Sequence, residues 1–197
     1  MKPLDTETIE LLSAAAAPKQ LFVLLHDQDG TAADMLALGN RIGDAFAEAA
    51  VLIPEGLAQV DALVAFVRAQ QQRFEISQSA VALAGLGAGA DLALALSDAH
   101  DGLVGRVLAF GSAYAGVAGS FVEKAPALTT LHLLHGENDT VAPVVLARQG
   151  FERLMALSAD ATLDVAASLG HELHPALMDQ AVVRLQTCVP LRYWRAL

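Results

Sequence analysis

The chain has 197 residues, and its 12 basic and 22 acidic side chains give a formal net charge of −10. Hydrophobic residues make up 54% and charged residues 17%. This composition excludes a disordered chain, because enough apolar surface is available to offset the entropy of ordering. The acidic balance argues against nucleic acid and anionic membrane surfaces as partners, since both are bound through positively charged faces.

Cysteine content and hydropathy indicate the cellular environment expected for the chain. Cys188 is the single cysteine, which excludes an internal disulfide and favours a reducing, cytoplasmic environment. Asp5, Glu7 and Glu10 precede any apolar run, so no signal-peptide core is expected. No apolar stretch reaches the roughly 18 residues of a membrane span. We therefore expect a cytoplasmic protein with no membrane span, folded as one domain over residues 1–197.

Short apolar runs alternate with longer segments of helical periodicity along the chain. Alternation of this kind indicates a mainly parallel sheet with helices on both faces, an α/β architecture. A first helix is predicted from a cap at Thr31 through Phe46. The other predicted helices span 60–74, 88–99, 143–157 and 175–187, and the predicted strands span 21–25, 51–53, 81–84, 104–110, 130–134 and 163–167.

Ligand chemistry in such sheets lies just beyond the carboxyl ends of the strands, so the residues after each strand carry the functional information. Four of these junctions hold polar or glycine-rich residues: 26–30, 85–89, 135–143 and 170–171. In this order they match the oxyanion turn, nucleophile elbow, acid loop and histidine loop of the α/β-hydrolase fold.

The run from His135 to Pro143 reads His-Gly-Glu-Asn-Asp-Thr-Val-Ala-Pro. It resembles the His-Gly-x-x-Asp-x-x-x-Pro acid loop of the carboxylesterase/phospholipase family of α/β-hydrolases, which includes the acyl-protein thioesterases. The resemblance covers about Leu21 to Thr187 and implies an α/β-hydrolase fold that hydrolyses carboxylic or thioester bonds. It further implies no cofactor, a triad acid and base at Asp139 and His171, and oxyanion donors at the backbone N–H groups of Gln28 and Ala88.

The elbow departs from that family. The family has Gly-x-Ser-x-Gly, whereas this chain reads Gly-Leu-Gly-Ala-Gly, with Gly87 at the position of the nucleophile. Because glycine has no side chain, no acyl-enzyme can form there. The oxyanion turn also differs, since Asp27 follows His26 where the family has glycine. A carboxylate pointing inward would repel a developing oxyanion, and one pointing outward would leave the pocket open; the sequence leaves both orientations open.

Two functional hypotheses follow directly from these residues. In the first, the fold has lost covalent catalysis and is an inactive homologue or a non-covalent binder of a small, ester-like ligand. In the second, the chain is a hydrolase whose His171, oriented by Asp139, acts as a general base on water or on a bound substrate. Ser112 follows the predicted strand 104–110 and is a candidate for a displaced nucleophile, the alternative being a local hydrogen bond.

A third hypothesis is a dinucleotide site, because residues 85–90 also read G-x-G-x-x-A between a strand and a helix. The next strand lacks the acidic residue that would hold a ribose, and Asp91 places negative charge near the phosphate position. No metal is expected, since His171 and His174 lack the His-Glu-x-x-His spacing of a zinc site. The tail 190–197 carries the single tryptophan, Trp194, and is expected either to cover its own core or to contact a second copy in a homodimer.

Overall fold

The computed structural model describes residues 7–12, 17–112, 114, 127–188 and 190. These residues form a seven-stranded sheet with the strand order β1-β3-β2-β4-β5-β6-β7. The mainly parallel α/β sheet predicted from the sequence is thereby confirmed. The predicted homodimer contact in the tail lies outside the described residues, apart from Pro190. The strands are β1 (Thr8–Leu12), β2 (Gln20–Leu25), β3 (Ala49–Pro54), β4 (Val81–Leu86), β5 (Arg106–Phe110), β6 (Thr130–Gly136) and β7 (Ala161–Ala166).

The central strands are apolar because helices cover them on both faces. Residues 21–25 of β2 are all buried, and Leu21 pairs in parallel with Ala50 of β3 and with Val81 of β4. From β2 through β7 the pairings within the described sheet are all parallel. Continuous apolar runs of this kind are typical of strands in a sheet that is buried on both sides.

The edge strand β1 was not predicted from the sequence. It runs antiparallel to β3, with Ile9 opposite Ile53. Its side chains alternate between the two faces: Ile9 and Leu11 pack on one core, while Glu10 forms an ion pair with Arg73 at 2.6 Å. This half-buried alternation is characteristic of an edge strand and carries less apolar signal than a buried one.

Helices lie on both sides of the sheet and bury two separate cores. On one side, α1 and α5 bring Leu38, Ile42 and Leu177 onto the sheet. On the other, α2, α3 and α4 contribute a second cluster, which includes Val67 and Leu96. The first helix begins with a 3₁₀ turn over Ala32–Met35 before α1. The α-helices are α1 (Leu36–Ala45), α2 (Val60–Phe74), α3 (Ala88–Ala99), α4 (Val144–Ala156) and α5 (Pro175–Thr187).

The parallel strands place their carboxyl ends at one edge of the sheet. The loops that follow β2, β4, β6 and β7 therefore meet there, although they are far apart in sequence. Elsewhere in the molecule, none of the described helices has the length and apolar character needed to cross a membrane.

Candidate active site

Gly87 forms the sharp turn between β4 and α3. Its φ of 52° and ψ of −118° lie where a residue with a side chain would be strained by about 1–3 kcal/mol. The turn is also close-packed: a Cβ on Gly85 would lie 2.5 Å from Ala90 N, and one on Gly89 would lie 2.6 Å from His26 O. Glycine at all three positions thus brings the start of α3 against the end of β2. This is the strand-turn-helix geometry of a nucleophile elbow, with glycine at its turn.

Asp139 and His171 meet at the ends of β6 and β7. The buried Asp139 carboxylate accepts backbone hydrogen bonds through Oδ1 from Val141 at 2.9 Å and Ala142 at 2.8 Å. Its Oδ2 lies 2.8 Å from His171 Nδ1. The acid loop and the histidine loop are tied together by a 2.8 Å hydrogen bond from Asn138 N to Leu169 O. Asp139 can accept a hydrogen bond from the Nδ1–H group, which leaves His171 Nε2 as the nitrogen on the side of Asp27.

Asp27 points inward and fills the space beside Gly87. Its Oδ1 accepts hydrogen bonds from the backbone N–H groups of Gln28 and Ala88, each at 2.8 Å. Its Oδ2 lies 3.4 Å from His171 Nε2. A Cβ on residue 87 would lie 2.6 Å from Asp27 Cγ and 2.8 Å from Oδ2. The carboxylate therefore occupies the room that a serine side chain at position 87 would need.

The charge of Asp27 is favoured by this environment. Burial raises the pKa of its carboxyl group, but the hydrogen bonds from Ala88 and Gln28 and the neighbouring His171 outweigh burial, and the net pKa is lowered. Asp27 is therefore ionised at neutral pH. The two N–H groups predicted as oxyanion donors do converge on one point, and at that point they hold an oxygen of the protein itself.

Comparison with known proteins fixes the family. The sequence model described as phospholipase/carboxylesterase matches residues 43–189. The chain belongs to the phospholipase/carboxylesterase family. It is 35% identical over 141 residues to esterase YpfH of Escherichia coli (strain K12), an alignment that covers 70% of this chain and 59% of YpfH. The chain thus matches little more than half the length of that relative.

Solved structures agree on the fold. Esterase PE8 superposes with a TM-score of 0.82 at 23% identity, over 93% of this chain and 99% of that one. The carboxylesterase of Bacillus cereus superposes with a TM-score of 0.79 at 15% identity, over 95% of this chain and 96% of that one. The α/β-hydrolase fold expected from the acid loop is confirmed.

Ser112 takes part in a hydrogen bond away from the imidazole. Its buried hydroxyl donates to the Asp91 carboxylate on α3, whereas the residue before it, Gly111, packs against His171. Burial raises the pKa of Asp91, and the Ser112 hydrogen bond opposes that shift. In this arrangement the Ser112 hydroxyl is bonded to an exposed carboxylate of α3, and the described hydrogen bonds include none between Ser112 and His171.

Three further histidines, His26, His135 and His132, have hydrogen-bond partners within the protein. His26 Nδ1 donates to the Asp27 carbonyl oxygen at 2.7 Å, and Nε2 accepts from Gly56 N at 3.4 Å, so the imidazole joins the oxyanion turn to the loop after β3. His135 Nε2 donates to Ala142 O at 2.6 Å inside the acid loop. His132 lies buried on β6, with Nδ1 2.9 Å from the Thr162 hydroxyl.

The dinucleotide hypothesis finds no support in the site geometry. The Ala88 N–H at the start of α3 is the group that a pyrophosphate would use, and it is bonded to Asp27. An ionised carboxylate at that point repels a phosphate. The glycines at 85 and 89 are accounted for by close backbone packing instead.

A cavity of about 240 Å³ adjoins the Asp27 carboxylate. It lies between the oxyanion turn, the loop after β3 and the first turn of α3. Polar groups from His26 and Gln28 line one part of it, and Leu57, Ala58 and Leu92 line another. Its volume falls below the roughly 300–1,000 Å³ of sites for drug-sized ligands, so it fits a compound of a few carbon atoms.

The inward direction of the Asp27 carboxylate is the feature of the candidate site that the sequence left open. The signal that pointed to it was a pair of departures from the family pattern, a carboxylate gained at position 27 and a side chain missing at position 87. The two residues lie 60 positions apart, at the ends of β2 and β4, and these strands are neighbours in the sheet. Treating the two changes as one would have placed the Asp27 side chain at the elbow.

Proposed function

We propose that this chain is a hydrolase in which the His171 imidazole, oriented by Asp139, acts as a general base on water, without an acyl-serine step. The observation that carries the proposal is the 2.8 Å contact between Nδ1 and the buried Asp139 carboxylate, which leaves Nε2 on the side of Asp27, 3.4 Å from Oδ2. A carboxylate on Nδ1 orients the imidazole so that Nε2 is the nitrogen that exchanges a proton, as in serine hydrolases.

The family relationship supports hydrolysis as the reaction class, since the relative YpfH is named an esterase. The missing nucleophile separates this chain from the usual chemistry of its family. Removing the nucleophile of a serine protease lowers turnover by about 10⁶-fold. Any reaction of this chain therefore proceeds by another route.

Carboxylic esters are poor candidates for that route. Their hydrolysis develops negative charge on the carbonyl oxygen, and the donors that would stabilise it are bonded to Asp27 Oδ1. Loss of a single oxyanion donor costs about 10²–10³-fold in turnover. The favoured substrate is accordingly one whose hydrolysis develops no negative charge on a substrate oxygen beside Gln28 N and Ala88 N.

A panel of compounds with different hydrolysable bonds tests the proposal. The panel contains p-nitrophenyl butyrate, a butyryl thioester, 1-bromobutane and 1,2-epoxybutane, and turnover is followed by chromatography of the acid or alcohol product. We expect at least one class to be hydrolysed, and we expect His171→Gln and Asp139→Asn to lower that rate by about 10³-fold or more. His100→Gln, a histidine at the end of α3, is the matched control and should retain the full rate.

Two results would overturn the proposal. One is the absence of turnover for every class by protein whose circular dichroism shows an intact fold. The other is turnover that His171→Gln leaves unchanged, since the imidazole would then not be the base.

Non-covalent ligand binding is a second candidate function, favoured by the occupied oxyanion site. Because Asp27 already satisfies Gln28 N and Ala88 N, the cleft is stable without a reacting substrate. In this case small ester-like amides such as butyramide should raise the melting temperature of the wild-type protein in proportion to their affinity. Stabilisation by such compounds, together with no turnover of the panel, would favour binding over hydrolysis.

A further inference from the structure

The position of the Asp27 carboxylate extends the proposed function, on which this inference rests. Oδ1 lies on the two backbone N–H groups, and Oδ2 lies on the side of His171. The two oxygens of one carboxylate thus have different surroundings: one is held by two backbone donors, and the other faces the His171 imidazole at 3.4 Å. The Asp27 side chain retains 28% exposure, so a ligand can reach the carboxylate.

The geometry points to Asp27 as a covalent nucleophile that attacks a tetrahedral carbon bearing a halide leaving group. In the first step Oδ2 forms a bond to the carbon, the carbon–halogen bond breaks, and the electron pair leaves with the halide ion. The product is an alkyl ester of Asp27. No proton is needed in this step, because a halide leaves as a stable anion.

The second step hydrolyses this ester and explains why Oδ1 lies where it does. His171 Nε2 takes a proton from water, and the resulting hydroxide attacks Asp27 Cγ. The negative charge then develops on Oδ1, which already accepts hydrogen bonds from Gln28 N and Ala88 N at 2.8 Å. Donors aligned in advance on the atom that becomes the oxyanion are the strongest form of electrostatic stabilisation.

Collapse of the tetrahedral intermediate at Asp27 Cγ completes the reaction. The alkoxide leaves from Cγ and takes the proton held by His171, which releases the alcohol. Asp27 remains as a carboxylic acid with one oxygen from water, and it loses its proton to solvent. The sum is an alkyl halide plus water giving an alcohol, a halide ion and a proton.

The site also selects a tetrahedral carbon over an acyl carbon. Attack on an acyl carbon would create an oxyanion on the substrate, for which the two convergent N–H donors of this cleft are already bonded to Oδ1. Displacement at a tetrahedral carbon creates no such oxyanion. Leu57, Ala58 and Leu92 give the adjoining cavity an apolar surface, which suits a short alkyl chain.

Gly87 completes the assignment of Asp27. A carboxylate can reach the elbow only if the residue there has no Cβ, since that atom would lie 2.6 Å from Asp27 Cγ. The glycine that removes the serine nucleophile therefore also makes room for another one. The pKa of Asp27 lies below its ordinary value, which keeps the attacking oxygen ionised at neutral pH.

The experiment is a trapping measurement with 1-bromobutane and 1-chlorobutane as probes. His171→Gln protein, which cannot complete the second step, should gain the mass of one butyl group, and peptide mapping should place it on Asp27. Asp27→Asn retains an oxygen for the two N–H groups but has no nucleophile, so the His171→Gln/Asp27→Asn protein should gain no butyl group on that peptide. Asp29→Asn, at an exposed carboxylate two residues along, is the matched control and should leave trapping unchanged.

Isotope transfer gives a second measurement that needs no variant. In a single turnover of wild-type protein in ¹⁸O water, the label should appear in the Asp27 peptide and be absent from the alcohol. Label in the alcohol and none in Asp27 would mean direct attack by water on the substrate; it would overturn the nucleophile and leave the proposed function intact. Butylation confined to other residues would also overturn the nucleophile. Butylation of Asp27 with no turnover in wild type would support the nucleophile and refute the proposed hydrolase.

Discussion

The Asp27 carboxylate and a side chain at Gly87 are mutually exclusive, because a Cβ at position 87 would lie 2.6 Å from Asp27 Cγ. Asp27 and Gly87, two departures from the family pattern that lie far apart in the sequence, thus depend on each other sterically. The carboxylate accepts hydrogen bonds from Gln28 N and Ala88 N, and its Oδ2 faces His171.

Restoring the serine alone should therefore fail to restore esterase chemistry. In Gly87→Ser the new side chain competes with Asp27 and adopts a strained φ, which together should lower stability by at least about 1–3 kcal/mol. In Asp27→Gly/Gly87→Ser the two N–H groups are released and the serine has room. We expect the double variant to be labelled by a fluorophosphonate and to hydrolyse p-nitrophenyl butyrate at least ~10³-fold faster than wild type.

The control for this comparison is Asp29→Gly/Gly87→Ser, in which an exposed carboxylate is removed and Asp27 remains. It should behave like Gly87→Ser. Labelling of the Gly87→Ser single variant at position 87 would contradict the steric exclusion, as would a folded double variant that stays unlabelled.

Sequence reasoning reached the main elements of the fold because their signals are local. The boundaries of α2, α3 and α5 coincide with the predicted ones, since each helix has an apolar face of helical period and a clear end. The strand β1 was missed because this edge strand pairs on one side and packs only the partly buried Ile9 and Leu11 on the core. Three apolar residues in five, two of them adjacent, give little alternation from which to predict a strand.

The candidate site follows the same rule: its local contacts could be predicted from the sequence, and its long-range contacts could not. The acid loop could be recognised from the sequence because its hydrogen bonds run between residues a few positions apart, such as Asp139 to Ala142. The direction of the Asp27 side chain depends on Ala88 N, which lies 61 positions away. No local pattern encodes that contact, and this is why the sequence left both orientations open.

Removing the Ser112 hydroxyl should cost stability in a pH-dependent way. Its partner Asp91 has a pKa raised by burial, an effect that the Ser112 hydrogen bond opposes. Ser112→Ala should therefore lower the free energy of unfolding by about 1.5 kcal/mol at pH values above the pKa of Asp91, the low end for a charged partner because Asp91 is exposed. The cost should fall to about 1 kcal/mol at pH 3, where Asp91 is protonated and the lost bond is a neutral one. Urea denaturation at a pH above that pKa and at pH 3 measures the difference.

Ser97→Ala provides the matched control, because the buried Ser97 hydroxyl donates to the uncharged Leu94 carbonyl oxygen at 2.7 Å. Its cost should be about 1 kcal/mol at both pH values. A Ser112→Ala cost that does not change with pH would show that the hydroxyl does not bond to an ionised Asp91.

Two glycines should respond in opposite ways to replacement by alanine. A Cβ on Gly89 would lie 2.6 Å from His26 O, so Gly89→Ala must push α3 away from β2 and should cost about 3 kcal/mol or more. Gly43 lies on the exposed side of α1 with no atom within 4 Å of its added Cβ. Gly43→Ala should therefore stabilise the protein by about 0.5–1 kcal/mol, because alanine loses less entropy in a helix. Thermal melts of the two variants check both signs, and a stabilising Gly89→Ala would refute the close approach.

His132 should make the fold sensitive to mild acid. Burial, together with the positive charges of Arg106 and Arg184, lowers the pKa of its imidazole to about 3. The unfolded chain binds the proton below the ordinary pKa of about 6.5, whereas the folded chain does not bind it until the pH approaches 3. The contribution of His132 to the free energy of unfolding is thus complete above about pH 6.5 and is lost as the pH falls, by ~2 kcal/mol at pH 5.

Wild type should lose that much more stability than His132→Gln between pH 7 and pH 5 in urea denaturation. Equal losses in the two proteins, or a His132 ring signal that titrates near pH 6 by NMR, would contradict a buried neutral imidazole.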